Sequence, residues 1–286
     1  MEKAVAGRWP IRLDRGGVSP HSWRMKNTHP ILIIGGGHMG GSLATRWHVA
    51  GYGPVHVVEQ SDTRRVELAA LGMACYLTLA EAPKNPAMVV LAIKPQQFEA
   101  FAPALKAHIH SESLLVSIMA GVSLTQLSDI APAVRIMPNL PATVGEGMSV
   151  GCAPNLPMVQ RTMIADLFAV IGKFVWVDDE DAMHAVTAIS GSGPAYVFAL
   201  MEALERAAAK QGLSPELARL LVTQTVRGAA LLADTSADDA ATLRRNVTSP
   251  GGTTEAALEQ FEKHAFLLLV EEAVKAATDR SRQLAQ

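Results

Sequence analysis

The segment Gly35-Gly36-Gly37-His38-Met39-Gly40 follows the apolar run Ile31–Ile34 and opens a helical pattern from about Met39 to Ala50. Glycines at this spacing suit one task well, the binding of a dinucleotide pyrophosphate. Gly35 permits a tight turn, Gly37 lets the main chain approach the anion, and Gly40 lets the helix pack closely on the strand. The helix start, with His38 and Met39, offers main-chain N–H groups that have no partner within the helix. Glu59 lies nineteen residues beyond Gly40, at the end of a second strand pattern, Val55–Glu59. A carboxylate there accepts hydrogen bonds from the adenosine ribose hydroxyls of NAD and repels a 2′-phosphate. Ser61, Arg64 and Arg65 follow closely and are the residue types that could hold the phosphate of NADP. Taken alone, these residues lean to NAD.

Two further turns end apolar runs. Ala92-Ile93-Lys94-Pro95 closes the run Met88–Ile93, and in a doubly wound sheet such strand ends line the ligand crevice. Ala92, Lys94 and Pro95 are therefore candidate cofactor contacts, although a strand-end lysine can equally face water. Met137-Pro138-Asn139-Leu140-Pro141 sets Asn139 between prolines, which would hold its amide donor and acceptor in place for a nicotinamide carboxamide.

Later in the chain, Ser249-Pro250-Gly251-Gly252-Thr253-Thr254-Glu255 runs into a helical pattern. An ordinary helix cap accounts for one threonine and for Glu255. Two glycines followed by two threonines also present main-chain N–H groups and hydroxyls to a small anion, so Gly252, Thr253 and Thr254 read as a carboxylate site. The turn Ser190-Gly191-Ser192-Gly193-Pro194-Ala195-Tyr196 allows close approach of a ligand or of another backbone. His184 sits in a helical pattern without a recognisable carboxylate partner, which favours a structural role.

The elements that must carry these turns follow from periodicity. Short apolar runs at residues 31–34, 55–59, 88–93, 114–118 and 133–137 alternate with helical patterns, and one more helix and strand, 157–172 and 173–177, precede the acidic turn Asp178–Asp181. This order predicts a parallel sheet covered on both faces, a Rossmann-type doubly wound α/β domain over 30–178. From 179 to 286 the chain is rich in Ala and Leu with apolar spacings of three and four, which predicts an all-α domain.

Of the 286 residues, 49% are hydrophobic and 18% charged, with a net charge of −2, a balance that argues against disorder and against a nucleic-acid-coating surface. No run is long enough for a membrane span. Cys75 and Cys152 are far apart and make no zinc-ligand spacing, so no metal is implied and a reducing cytoplasm is the expected location. Residues 1–29 hold six of the 25 Lys and Arg but two of the 27 acidic residues, lack the apolar stretch of a secretory signal, and read as a disordered extension.

Together the motifs resemble the pyrroline-5-carboxylate reductases. The likeness covers about residues 31–286 and rests on Gly35–Gly40, Ala92–Pro95, Arg135-Ile136-Met137-Pro138-Asn139, Ser190–Tyr196 and Val247–Thr254. It implies reduction of the cyclic imine of 1-pyrroline-5-carboxylate to L-proline, with NADPH as reductant and NADH as the alternative. It also implies a homodimer interlocked through the helical domain, and higher homo-oligomers of that dimer. By position, Gly252, Thr253 and Thr254 would hold the substrate carboxylate with the Thr254 hydroxyl near the ring nitrogen; Glu180 falls at a substrate position, and Lys94 and Asn246 at cofactor positions. Leu79, Leu140 and Ala237 depart from residues common in the family. The competing readings are a β-hydroxyacid dehydrogenase, for which the helix Ala195–Ala209 lacks the expected lysine, and a nucleotide sensor without turnover.

Overall fold

The computed structural model describes residues 30–285, so the expectation for 1–29 lies outside the described residues. Eight strands form one sheet: β1 (Ile31–Ile34), β2 (Val55–Val58), β3 (Ala74–Tyr76), β4 (Met88–Leu91), β5 (Leu114–Ser117), β6 (Ala133–Met137), β7 (Gly147–Cys152) and β8 (Gly172–Val177). Their spatial order is β3-β2-β1-β4-β5-β6-β7-β8. The order reverses between β1 and β4, which opens a crevice at the carboxyl ends of these strands.

Alternation along each strand builds two cores. Ile31, Ile33, Val57, Val90 and Val116 face helices α1 (His38–Val49) and α5 (Met158–Ala169), where Leu43, Trp47, Leu167 and Phe168 are buried. Trp47 donates its indole N–H to the Leu167 carbonyl at 2.8 Å and meets the Phe168 ring edge-on, so its one polar atom is satisfied inside the core. Leu32, Ile34, Val89, Leu91 and Leu115 point the other way, onto Phe98 and Leu105 of α3 (Phe98–His108) and Leu127 of α4 (Leu124–Ser128). The remaining helix of this half, α2 (Asp62–Ala70), is capped by the Ser61 hydroxyl, which accepts from the Arg64 N–H.

Two strands were not expected. β3 has only three residues, and β7 carries two glycines and no alternation. The expectation of a wholly parallel sheet is corrected at β7, which pairs antiparallel with β6 and parallel with β8. The connection from Met137 to Gly147 is shorter than the dozen or so residues that a parallel crossover needs.

The helical part comprises α6 (Ala182–Val186), a π-helical turn Thr187–Gly191, α7 (Gly193–Lys210), α8 (Pro215–Thr235), α9 (Ala240–Asn246), α10 (Thr253–Lys263) and α11 (Phe266–Gln283). Ser214 and Asp239 cap α8 and α9 through their side chains. The chain divides into two compact units at Gly191/Ser192, with the residues from Ala277 returning to the first. That point lies past the compositional change near residue 178, because Met183 of α6 is buried with Met137, Val150 and Cys152 against the sheet. Among the described residues of the second unit, Ser192–Ala276, only Ala218 and Val222 are buried.

Candidate active site

The glycine turn is built so that side chains cannot enter it. Gly35 has φ +102°, and a Cβ there would stand 2.6 Å from the Ala92 carbonyl oxygen. A Cβ on Gly40 would collide with the Gly35 carbonyl and press on Ala92. Gly37 meets nothing within 4 Å, and α1 carries no side-chain cap. The start of α1 is thus an open cradle of main-chain N–H groups, which fits a pyrophosphate. His38 is exposed at its first position, and Met39 turns inward onto the core. Ala92 packs against the turn from the end of β4, while Lys94 is exposed where Pro95 begins a short 3-10 turn.

Glu59 follows β2 and braces the glycine turn. One carboxylate oxygen accepts the Gly36 N–H at 2.7 Å and the other accepts the Ser61 N–H at 2.8 Å. Arg64 donates from Nε to the Gly36 carbonyl at 3.0 Å and pairs with Glu67 at 2.5 Å. Arg65 donates to the carbonyls of Glu59 and Gln60 and pairs with Asp62.

Asn139 is held at both ends of its amide. Its amide oxygen accepts the Met148 N–H at 2.8 Å, and its amide nitrogen donates to the Ser190 carbonyl at 3.2 Å. Both ends are held within the chain, so the residue fixes the turn Leu140–Val144 against β7 and the Ser190 turn. Glu180 is likewise engaged: one oxygen accepts from Arg135 at 2.5 Å and from the Leu124 N–H at 2.7 Å. Arg135 is buried and Glu180 is about one third exposed, at 32%, so the carboxylate has an open side. Sequence reading passed over Arg135 as a functional partner, and also the loop Met119–Val122. That loop leaves β5 at the carboxyl edge of the crevice with Gly121 at φ +78°. The strand-end rule alone could have found it.

His184 bonds through Nδ1 to the Ser281 hydroxyl at 2.9 Å. Burial first, then the Arg135 charge, lowers its pKa from 6.5, so it is a poor proton donor near neutrality. Burial and then the Glu180 charge push the Cys152 thiol up to about 11, which makes it inert. A cavity of about 410 Å³ lies along α1, lined by Gly41, Thr45, Arg46, Arg64, Thr143 and others. None of the expected cofactor contacts Gly35, Glu59, Ala92, Lys94 or Asn139 lines it. Among the described residues no group of three His, Cys, Asp or Glu could hold a metal, and no helix is long and apolar enough to cross a membrane.

In the second unit, α10 begins at Thr253 with Gly252 as its cap residue and no side-chain cap. Gly251 has φ +68°, and its N–H donates to Glu255 at 2.6 Å. A Cβ on Gly252 would stand 2.9 Å from the Ser249 carbonyl oxygen. Glu255 therefore braces the turn from behind, while Thr253 and Thr254 stand on the open end of the helix. Asn246 ends α9 and donates to Asp238 at 3.4 Å.

Sheet order and glycine turn define a Rossmann-type dinucleotide-binding fold with an appended helical unit. Residues 180–284 match the family model for pyrroline-5-carboxylate reductase dimerisation, and residues 30–121 match that of the NADP oxidoreductases, coenzyme F420-dependent. The pyrroline-5-carboxylate reductase of Haemophilus influenzae is 39% identical over 262 residues, 89% of this chain and 97% of that protein. A solved pyrroline-5-carboxylate reductase from Coxiella burnetii superposes with a TM-score of 0.83 at 33% identity, covering 91% of this chain and 100% of that one. That of Plasmodium falciparum, solved with NADP bound, gives 0.81 at 30% identity, covering 91% and 99%. The chain belongs to the pyrroline-5-carboxylate reductase family.

Proposed function

We propose that the protein reduces 1-pyrroline-5-carboxylate to L-proline, the last step of proline biosynthesis, with a nicotinamide dinucleotide as reductant. The observation that carries this reading is the braced, uncapped start of α10, a carboxylate-sized cradle, in a chain 39% identical to a protein of that name. When bound, the reduced dinucleotide supplies a hydride to the imine carbon; the C=N π electrons move to nitrogen, which takes a proton, and the oxidised dinucleotide remains.

The residues of this chain then bind and orient. Gly35, Gly37 and Gly40 keep the start of α1 open to the pyrophosphate, with Ala92, Lys94, Pro95 and Asn246 as further cofactor contacts. Asn139 acts by fixing its loop. Gly252, Thr253 and Thr254 hold the substrate carboxylate through N–H groups and hydroxyls, and the Thr254 hydroxyl passes the proton to the ring nitrogen. Glu180, held by Arg135 and with its carboxylate partly exposed, is the remaining candidate substrate contact. A cyclic imine is partly protonated near neutrality, so positioning carries most of the rate; such positioning supplies about 7 to 11 kcal/mol. The working form is a homodimer, and higher homo-oligomers are built from it, in a reducing compartment such as the cytoplasm. The resemblance and the NADP-bound relative favour NADPH, whereas the groups around Glu59 favour NADH.

Loss of nicotinamide absorbance on adding pyrroline-5-carboxylate, followed in parallel with NADH and NADPH, tests the reading. Oxidation that depends on the imine is the expected result. A folded protein that binds either dinucleotide yet oxidises neither is a sensor, and the reductase reading fails.

A further inference from the structure

We propose that Glu59 makes this chain discriminate against the 2′-phosphate, so that NADH is its preferred reductant. The inference deepens the reductase reading and rests on it for turnover, although not for binding.

Three observations converge on the end of β2. The Glu59 carboxylate is fixed before any ligand arrives, one oxygen on the Gly36 N–H at 2.7 Å and the other on the Ser61 N–H at 2.8 Å. Each oxygen keeps a lone pair for a ribose hydroxyl, so a 2′,3′-diol meets a preorganised acceptor. The glycine turn and the carboxylate also interlock sterically, since a Cβ on Gly36 would stand 3.2 Å from the Glu59 Cβ. Turning Glu59 away to admit a phosphate would release two main-chain N–H groups at once.

The charged groups that could receive a 2′-phosphate are engaged elsewhere. The Ser61 oxygen accepts the Arg64 N–H as the cap of α2, and its own O–H is a donor that brings no charge to a phosphate. Arg64 is drawn to the Gly36 carbonyl and Glu67, and Arg65 to the Glu59 and Gln60 carbonyls and Asp62. Each arginine is paired with a carboxylate from its own helix, so the local field offers a phosphate little net positive charge. A 2′-phosphate, carrying up to two negative charges, would then lie beside Glu59, whereas the hydroxyl of NADH would not. At a solvent-exposed edge one such like-charge contact is worth about tenfold in affinity or more.

Steady-state kcat/KM for NADH and NADPH with pyrroline-5-carboxylate is the first readout, with NADH favoured at least about tenfold in the wild type. Glu59→Ser should shift the ratio toward NADPH by about 10- to 100-fold, chiefly through KM. The ratio is the measured quantity because losing the carboxylate also loosens the glycine turn for both cofactors. Calorimetric binding of ADP and of its 2′-phosphorylated analogue to the wild type needs neither the imine nor a variant, and ADP should bind tighter. Equal or tighter binding of the 2′-phosphorylated form, or equal or better use of NADPH by the wild type, overturns the proposal. Tighter ADP binding with no imine-dependent oxidation would leave the discrimination standing and remove the reductase reading instead.

Discussion

The two compact units spend their apolar residues in opposite ways. In the first, Ile31–Ile34, Trp47, Phe168 and their neighbours are sealed between sheet and helices, and Arg135 is buried with the partly exposed Glu180 as its partner. In the second, Phe198, Leu220, Leu221, Leu231, Leu232 and Leu267–Leu269 are exposed by between 47% and 68%, and only Ala218 and Val222 are buried. Helices with that surface have not buried enough to offset their chain entropy. The first unit carries its own sealed core. The second is half of a core, and the family model that matches it is named for dimerisation.

The largest effect should come from charging the exposed apolar face. Leu220→Glu is expected to weaken self-association by a hundredfold or more, since about 1.5–3 kcal/mol of Leu burial is lost and an unpaired charge is added. Leu71→Glu, on a comparably exposed leucine of the first unit, should change nothing in the same sedimentation experiment. Equal behaviour of the two variants would break the contrast.

In the first unit, Gly40→Ala forces a methyl group onto the Gly35 carbonyl and Ala92. Dinucleotide affinity should fall about a hundredfold by calorimetry, with a stability loss of about 1–3 kcal/mol. Glu180→Gln leaves Arg135 buried beside a neutral partner. About 2 kcal/mol of stability should be lost, less than for a fully buried pair because Glu180 is one third exposed, and Arg135→Met combined with Glu180→Gln should recover part of it in denaturant titrations.

Thr254→Ala should lower kcat/KM by about 10- to 100-fold while leaving turnover measurable and stability within about 0.5 kcal/mol. Complete loss of activity in a folded variant would make Thr254 an obligatory acid. The smallest effect concerns His184, whose pKa is lowered in the folded chain. Its neutral form contributes stability above the unfolded pKa of about 6.5, and that contribution is lost as pH falls through the folded value. Tm should therefore drop as pH falls below about 6.5, and His184→Asn should flatten part of that slope.

Local pattern made the first five long strands, α1 and the glycine turn readable, because a parallel βαβ unit repeats its alternation and its turn chemistry within a short span. It could not reveal β3, which is too short, or β7, whose glycines hide the period. The need for glycine at positions 35, 40 and 252 was legible, and a Cβ on Gly35, Gly40 or Gly252 would indeed meet a main-chain carbonyl oxygen. The pairing of Arg135 with Glu180, and of Asn139 with Ser190 and Met148, was not: these contacts join residues far apart along the chain or across a strand reversal, and no spacing rule reports them. Asn139 is an example: its setting between prolines is readable, whereas the partners that hold its amide are not.

The most direct test of the contrast between the units is sedimentation equilibrium over a range of protein concentrations, with imine-dependent dinucleotide oxidation measured on the same samples. A dimer or a larger assembly of dimers, with activity tracking its population, is the expected result. A folded monomer that reduces pyrroline-5-carboxylate at the full rate would contradict the account.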